Sequence, residues 1–347
     1  EGKTIVLNND ILINENVLNE DGTLNEANAN TFVQWEPIGD VSTVEFPRCF
    51  RGLLDGKQKN IIGIYINKED INEQALFSNN YGELLNINIT DSYVYTNGSF
   101  VAAIVASNNG KINNCISSAT VGSNNGRAGG IFAISELGTI INCKNYGKIT
   151  GWAVGGIGSK ISNSQIVYSI NDGEVSSSTD GGGGIVAHSW ASEIRSCFNV
   201  ESISGRFAGG IVAGPENTTI IDCINEANIL SIGTGWGAGG IAGQLISSVV
   251  INSFNVGEIN GANRAGGLVA ETMNSKILNS YNYGNVKGYE SGGITHECIG
   301  YRRCRLYRKS YLRGIVGERL RCRGHRQPVQ FQRRESEPRT EAHRQNA

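Results

Sequence analysis

The chain has 347 residues, of which 46 are glycine, 5 are proline and 18% are charged, and its length suits one large domain or two ordinary ones. Abundant glycine with little proline argues against a disordered linker and predicts many tight turns. The formal charge of −2 combines −11 over residues 1–296 with +9 over residues 297–347. No stretch approaches 18 apolar residues, so we expect no membrane span. Because the sequence opens at Glu1, we interpret it as a fragment or a processed chain.

The first 75 residues lack a repeat but contain short β-like runs. Examples are Thr4–Leu7, Asp10–Asn14 and Ile61–Asn67. A stack of repeats needs a terminal cap over its apolar end. We therefore predict that residues 1–75 form an N-terminal β cap with the first strands; the alternative is a separate ligand site.

Residues 76–296 carry an internal repeat of 26–30 residues. Each copy has a Gly-Gly-Ile phrase, and such self-similarity at a fixed period is typical of solenoids. The apolar residue of the phrase is Ile131, Ile157, Ile185, Ile211, Ile241, Leu268 or Ile294.

A second phrase keeps a constant distance from the first. A Cys or Ser follows the apolar residue by 12 positions, and an asparagine comes two positions later. Constant spacing here means that insertions fall elsewhere, as they do in solenoid loops. The asparagine column contains Asn145, Asn171, Asn199, Asn225, Asn255 and Asn282.

The local period is two rather than 3.6, which predicts short strands. We expect three strands per repeat, stacked about 4.8 Å apart with parallel hydrogen bonds. The predicted fold is all-β, a right-handed parallel β-helix. The paired glycines either adopt positive φ at a corner or allow close backbone approach. The asparagines could adopt the left-handed conformation and pair their amides up the stack.

Several phrases resemble the GLUG-motif repeat family of bacterial surface and secreted proteins. They are Trp35-Glu-Pro-Ile-Gly39, Phe50-x-Gly-x-x-Asp-Gly56, Gly63-Ile-Tyr-Ile-Asn67 and Gly240-Ile-Ala-Gly243, and the resemblance spans roughly residues 32–296. The last glycine of the motif is often alanine here. The resemblance implies a β-helical stack in a secreted or surface-attached protein, often adhesin-like and sometimes associated with a metallopeptidase.

After Thr295 the repeat pattern stops. Residues 297–347 contain 13 arginines, against 6 in residues 1–296. We interpret this basic non-repeat tail as the product of a reading-frame shift and expect it to be poorly ordered. The alternative is a genuine tail that binds anionic surfaces.

No residues form a predicted catalytic, metal or cofactor site. Glycosidase chemistry needs two carboxylates about 5–9.5 Å apart, and the acids of the repeats fall on positions expected to face solvent. His188 lacks a metal-ligand partner and is expected in a loop. The cysteines share one column with serines, which favours a small inward slot over a disulfide framework, although an extracellular disulfide stays open. The acids and the cysteines are Asp172, Glu174, Glu201, Glu226 and Glu258, and Cys115, Cys143, Cys197 and Cys223.

Phe198, Phe254 and Tyr281 each follow the Cys/Ser column by one place. They are a possible ligand face, and core packing is the alternative. We expect a non-catalytic module of a bacterial surface or the extracellular space, acting in adhesion, ligand presentation or spacing. Partners would be glycans or surface proteins of host or neighbouring cells, with no nucleic acid. A polysaccharide-active β-helix enzyme and an accessory segment of a secreted metallopeptidase are the alternatives, and the oligomeric state stays open.

Overall fold

The computed structural model describes residues 2–39, 49–233, 237–299, 304–305 and 321–322. The chain forms a parallel β-solenoid of about nine turns with repeats of about 27 residues. The predicted all-β solenoid is therefore confirmed. Five sheets run along it, and each complete turn contributes one strand to each sheet. A turn therefore has five short strands rather than the three expected. We number them in the order in which the chain visits them.

The first two sheets each contain ten strands and begin at the N-terminus. Sheet 1 contains Thr4–Val6, Leu53–Asp55, Glu83–Leu85, Lys111–Asn113, Thr139–Ile141, Gln165–Val167, Glu193–Arg195, Thr219–Ile221, Val249–Ile251 and Lys276–Leu278. Sheet 2 contains Ile11–Leu12, Asn60–Ile62, Asn88–Thr90, Ile116–Ser117, Lys144–Asn145, Ile170–Asn171, Phe198–Asn199, Ile224–Asn225, Phe254–Asn255 and Tyr281–Asn282.

The other three sheets complete each turn. Sheet 3 contains Tyr65–Lys68, Tyr93–Thr96, Thr120–Gly122, Ile149–Gly151, Val175–Ser177, Ile203–Gly205, Ile229–Ser231, Ile259–Gly261 and Val286–Lys287. Sheet 4 contains Phe100–Ala102, Arg127–Gly129, Ala153–Gly155, Gly181–Gly183, Phe207–Gly209, Gly237–Gly239, Arg264–Gly266 and Glu290–Gly292. Sheet 5 contains Phe77–Asn80, Val105–Asn108, Phe132–Glu136, Gly158–Ser162, Val186–Trp190, Val212–Glu216, Ala242–Ile246, Val269–Met273 and Thr295–Ile299.

The apolar residue of each Gly-Gly-Ile phrase lies between sheets 4 and 5 and points into one continuous core. From Ile131 to Leu268 these side chains are fully buried, and Ile294 in the last turn is half-buried. Because parallel strands place equivalent residues directly above one another, each isoleucine packs on the next. One turn cannot bury its own apolar side, so the core exists only as a stack.

The paired glycines do not adopt positive φ. Positive φ occurs outside the Gly-Gly pairs, in the column just before the Cys/Ser position, for example at Asn142 and Asn252. The paired glycines serve close approach instead: a Cβ on Gly129 would lie 1.9 Å from the carbonyl oxygen of Phe132. The predicted left-handed conformation of the Asn145 column is also wrong, because none of those residues has positive φ.

Residues 2–39 form an incomplete first turn that covers the end of the core. Thr4–Val6 and Ile11–Leu12 pair in parallel with the next turn, and a short 3-10 helix spans Ala29–Thr31. Trp35 packs against the core and its backbone N–H donates to the Tyr65 carbonyl at 2.8 Å. The next turn begins at Leu53, within the segment predicted as the cap and first strands, and has an isolated bridge at Gln74 in place of a sheet 4 strand.

The predicted basic tail lies mostly outside the described residues. Sheet 5 continues to Ile299, three residues beyond the predicted boundary, and Cys304–Arg305 pairs with Arg321–Cys322 in antiparallel fashion. In the part of the chain that the structure describes, no helix is long and apolar enough to cross a membrane.

Candidate functional site

The inner side of sheet 2 carries a ladder of buried asparagines. From Asn145 to Asn282, each side-chain amide donates to the Oδ1 of the asparagine one turn on, at 2.7–2.9 Å. The second amide hydrogen goes to the carbonyl two residues ahead, as from Asn171 Nδ2 to Gly173 O at 2.8 Å. A buried amide is costly unless its hydrogen bonds are made. The ladder meets that requirement because each buried asparagine bonds to the asparagine of the next turn.

The second glycine of each Gly-Gly pair makes room for this ladder. A Cβ on Gly184 would lie 2.4 Å from Cγ of Asn199 and 2.1 Å from the Gly210 carbonyl oxygen. The same contact recurs 15 residues apart in the other turns, as between Gly130 and Asn145. This contact explains why the two phrases keep a fixed spacing.

The outer side of these strands carries Lys144 in the first of them and apolar residues in the others. The column contains Ile170, Phe198, Ile224, Phe254 and Tyr281. The first four are half-buried and Tyr281 is 54% exposed. The predicted ligand residues therefore face outward and share one column, which we call the sheet 2 column.

The aromatic rings of this column only partly stack. Phe254 and Tyr281 lie 5.9 Å apart at an interplanar angle of 12°, and Tyr281 lies 6.5 Å from Tyr283. Phe198 stands two turns from Phe254, because Ile224 lies between them. Rings stacked along the solenoid cover one another's faces and present their edges outward, which suits contact with an apolar protein surface better than stacking on a sugar.

Near the N-terminus the same sheet has the opposite arrangement. Ile61 and Ile89 are buried inside, whereas Asn60 and Asn88 lie outside and are hydrogen-bonded to each other. The chain thus places apolar residues inside and amides outside in the first turns, and reverses this from the Ile170–Asn171 strand onward.

A groove lies on another side of the molecule, where sheets 4 and 5 meet at an internal corner. Ala102, Ala106 and Ala133 are buried there in a cluster separate from the main core. Their neighbours Val101 and Val105 point into the main core, so the alanines are on the outer side and are buried only because the corner is concave. Ala106 and Ala133 are the last residues of their copies of the repeat motif, and the concave corner explains why that residue is small.

Two pairs of polar and aromatic side chains lie along this groove. The Arg127 guanidinium lies 4.7 Å from the ring centroid of Trp152. His188 Nε2 lies 3.2 Å from Asp180 Oδ2, and its ring contacts Phe207 edge-on at 5.7 Å. Sequence reasoning missed this set and placed His188 in a loop, whereas it lies within Val186–Trp190 of sheet 5.

Charge is partly buried in the groove. Burial lowers the pKa of Arg127, partly offset by the nearby Asp180 carboxylate. Burial by itself would raise the pKa of Asp180, but the hydrogen bond with His188 and the charges of His188 and Arg127 hold it below its usual value. Nη1 of Arg127 is buried and makes no hydrogen bond.

The cysteine column is a row of inward thiols. Cys115, Cys143, Cys197 and Cys223 are buried and not in disulfides. Each Sγ lies 3.3–3.4 Å from the carbonyl oxygen two residues before it. Serines occupy the slot in other turns and donate to the equivalent carbonyl, which agrees with a small inward slot.

The acids of the repeats lie on open faces. Glu174 pairs with Lys148 at 3.0 Å and Glu258 pairs with Lys287 at 2.5 Å, beside a shallow depression of about 500 Å³ on sheet 3. Asp172 and Glu226 share an outer column of sheet 2 two turns apart, or about 10 Å between backbones. That is the upper limit for glycosidase carboxylates.

No group of three His, Cys, Asp or Glu residues is arranged to hold a metal ion within the described ranges.

Comparison with known proteins supports the fold. No family model matches the chain and no curated protein matches its sequence. Among solved structures, it is similar to one from Bacteroides ovatus described as "a putative immunoglobulin A1 protease", with a TM-score of 0.52 and 16% identity over 81% of this chain and 78% of that one. At this identity the similarity shows the shared fold, so the chain is a member of the parallel β-solenoids.

Proposed function

We propose that this chain is a non-catalytic extracellular scaffold that presents the sheet 2 column to a protein partner. The observation that carries the proposal is the inversion of sheet 2 from the Ile170–Asn171 strand onward. Apolar side chains that could enter the core lie outside, while amides occupy the inner slot. Contiguous outward apolar residues are typical of interaction surfaces. Similarity to GLUG-motif repeats of bacterial surface proteins fits this role.

Charge favours a foreign partner over a second copy of the chain. Three carboxylates, Asp172, Asp222 and Glu226, flank the column and face outward, and the cation Lys144 continues the column in the turn before Ile170. Two copies placed face to face would bring these like charges together, which disfavours association. A partner with an apolar centre and a basic rim fits both features.

The test measures retention of beads coated with the full chain on layers of fibronectin, laminin or collagen, with serum albumin as the blank. We expect at least tenfold retention over albumin on one layer. Replacing outward residues in Ile224→Ser/Phe254→Ser should abolish it, while the control Leu230→Ser, at an exposed position on sheet 3, should not. Equal retention by all variants, or none on any layer, would contradict the proposal. Release of fragments from polysaccharides would contradict the non-catalytic part.

A second candidate is an accessory segment of a secreted protease, favoured by the fold similarity to the Bacteroides ovatus chain. An accessory segment would bind a protein substrate without cutting it. Incubation with immunoglobulin A1 followed by gel electrophoresis tests this. Binding with intact heavy chains supports the accessory role, cleaved heavy chains would make the chain itself an enzyme, and no binding removes this candidate.

A further inference from the structure

The shallow depression on sheet 3 has an ion pair at each end. Glu174, Ser202, Asn228 and Glu258 occupy one outer column in four successive turns. Three turn spacings separate Glu174 from Glu258, or roughly 14 Å along the solenoid, which is long enough for a disaccharide. A lysine pairs with each of these two carboxylates, so the acids that line the depression are both balanced in charge.

Short side chains form the floor between these two ends. Ser204 lies in the next outer column of sheet 3, between Ser176 and Leu230. Its hydroxyl donates to Ser176 Oγ at 3.0 Å, and the Ser204 oxygen can still accept a hydrogen bond from a ligand. Ser202 is exposed beside it. The surface is concave here because these serines are shorter than the glutamates and the leucine around them.

The groups around this floor are open to solvent. Glu174, Ser202 and Asn228 are exposed, and Leu230 is 43% exposed. Asn228 Oδ1 accepts a hydrogen bond from the backbone N–H of Glu258 at 3.0 Å. This bond holds the amide in place, and its Nδ2 can donate to a ligand. Because solvent-exposed ion pairs are weak, the two carboxylates can also accept hydrogen bonds from a ligand.

We propose that this depression is a binding site for a neutral sugar of disaccharide length. Sugar hydroxyls both donate and accept hydrogen bonds, which matches carboxylates that accept, an amide that donates and serines that do both. The exposed Leu230 side chain offers an apolar contact for the C–H face of a sugar ring. Since each lining acid already has a lysine, the ligand needs no charge of its own. This site lies on a different sheet from the sheet 2 column and does not depend on it.

The strand pairing and the charge balance favour a neutral sugar over a peptide or an anionic polymer. One common way to bind an extended peptide adds it as a strand to a free sheet edge. Here Ile203–Gly205 and Ile229–Ser231 already pair with strands on both sides. Anionic polymers need an excess of basic residues, whereas each lysine at this depression is matched by an acid. Recognition therefore comes from neutral hydrogen bonding by side chains.

The experiment is an NMR titration of the full chain with cellobiose, maltose, lactose and diacetylchitobiose. We expect at least one of these neutral disaccharides to bind with a Kd of roughly 1 mM, because a shallow site leaves little free energy after the costs of ordering the ligand. The uronate form of the same disaccharide and a blocked alanine tripeptide should bind at least fivefold more weakly. No binding of any disaccharide, or equal binding of the uronate or the tripeptide, would overturn the proposal.

Two matched variants locate the site. Ser204→Tyr places a ring on the floor and should reduce the disaccharide affinity at least tenfold. The fold accepts a tyrosine in this column, because Tyr95 occupies it four turns earlier. Thr150→Tyr, in the same column but outside the depression, should change the affinity less than twofold. Wild-type affinity in Ser204→Tyr, or an equal loss in Thr150→Tyr, contradicts the site. Phe254→Ser should bind the sugar normally, so failure of this site and failure of the sheet 2 proposal are distinguishable.

Discussion

Sheet 2 solves one packing problem in two opposite ways. In the first turns, Ile61 and Ile89 fill the inner slot and the amides of Asn60 and Asn88 pair outside. From Asn145 onward, amides fill the inner slot, and from Ile170 onward apolar residues lie outside. The comparison teaches that the solenoid core does not require apolar residues at every inner position. It requires that a polar column be continuous, so that each buried amide finds the next.

The glycine partner of the ladder gives the largest test of this comparison. Gly184→Ala places a Cβ against Asn199 and the Gly210 carbonyl, so we expect a loss of more than about 3 kcal/mol in local stability because neither neighbour can move away easily. The equivalent residue in the earlier region is Ala103, and alanine is native there. In that turn the asparagine column contains Ser117 instead of an asparagine. Native-state hydrogen exchange of the adjacent strands measures the loss, and an unchanged opening free energy would contradict the steric account.

Moving an amide into the apolar region is the next strongest test. Ile61→Asn replaces a buried isoleucine whose column neighbours are Ile11 and Ile89, so the new amide gains no ladder partner. We expect a cost of about 3 kcal/mol from lost burial and an unmet amide. Hydrogen exchange of the Leu53–Asp55 turn provides the measurement. Stability equal to wild type would show that continuity of the column is unnecessary.

Interrupting the ladder gives a smaller effect. Asn199→Ala removes the acceptor of Asn171 Nδ2 and the donor to Asn225 Oδ1, so we expect a loss of about 2 kcal/mol. The expected loss is centred on the turns on either side. Asn282→Ala, at the half-buried end of the ladder, is the matched control and should cost less. Equal losses at both sites would contradict the importance of the buried interior of the ladder.

The inner thiols beside the ladder make the stability depend on pH. Burial, with hydrogen bonds to Cys143 and Cys223, raises the pKa values of Cys115 and Cys197 well above their usual value. Their stabilising effect is complete below the unfolded pKa of about 8.5 and decreases as pH rises above it, by at most about 1.4 kcal/mol per pH unit for each thiol.

Urea unfolding at pH 8 and pH 10 measures this dependence. The Cys115→Ser/Cys197→Ser variant should lose less stability over this interval than wild type, because serine does not ionise. The same serine already occupies the slot at Ser169 and Ser253, where its hydroxyl donates to the carbonyl two residues earlier. A pH dependence identical to that of wild type would show that the thiols do not control alkaline stability.

The period, the core isoleucines and the asparagine pairing could be predicted from the sequence. A repeat places equivalent residues in register, so Ile131 had to stack on Ile157 and Asn145 had to meet Asn171. The strand number could not be predicted, because runs of two or three residues separated by bends give no period to read. For the paired glycines the sequence left positive φ and close backbone approach open, and it did not show the contact of the second glycine with an asparagine 15 residues away.

The groove is the feature that was hardest to predict from the sequence. Arg127, Trp152, Asp180 and His188 belong to three successive turns and share no motif, so their approach follows only from the corner between sheets 4 and 5. The sequence by itself determined that the chain stacks, with which spacing and with which inner residues, because these depend on a repeated local pattern. Which outer columns are concave and which lie open was decided by the tertiary structure, because that depends on the angles between the five sheets.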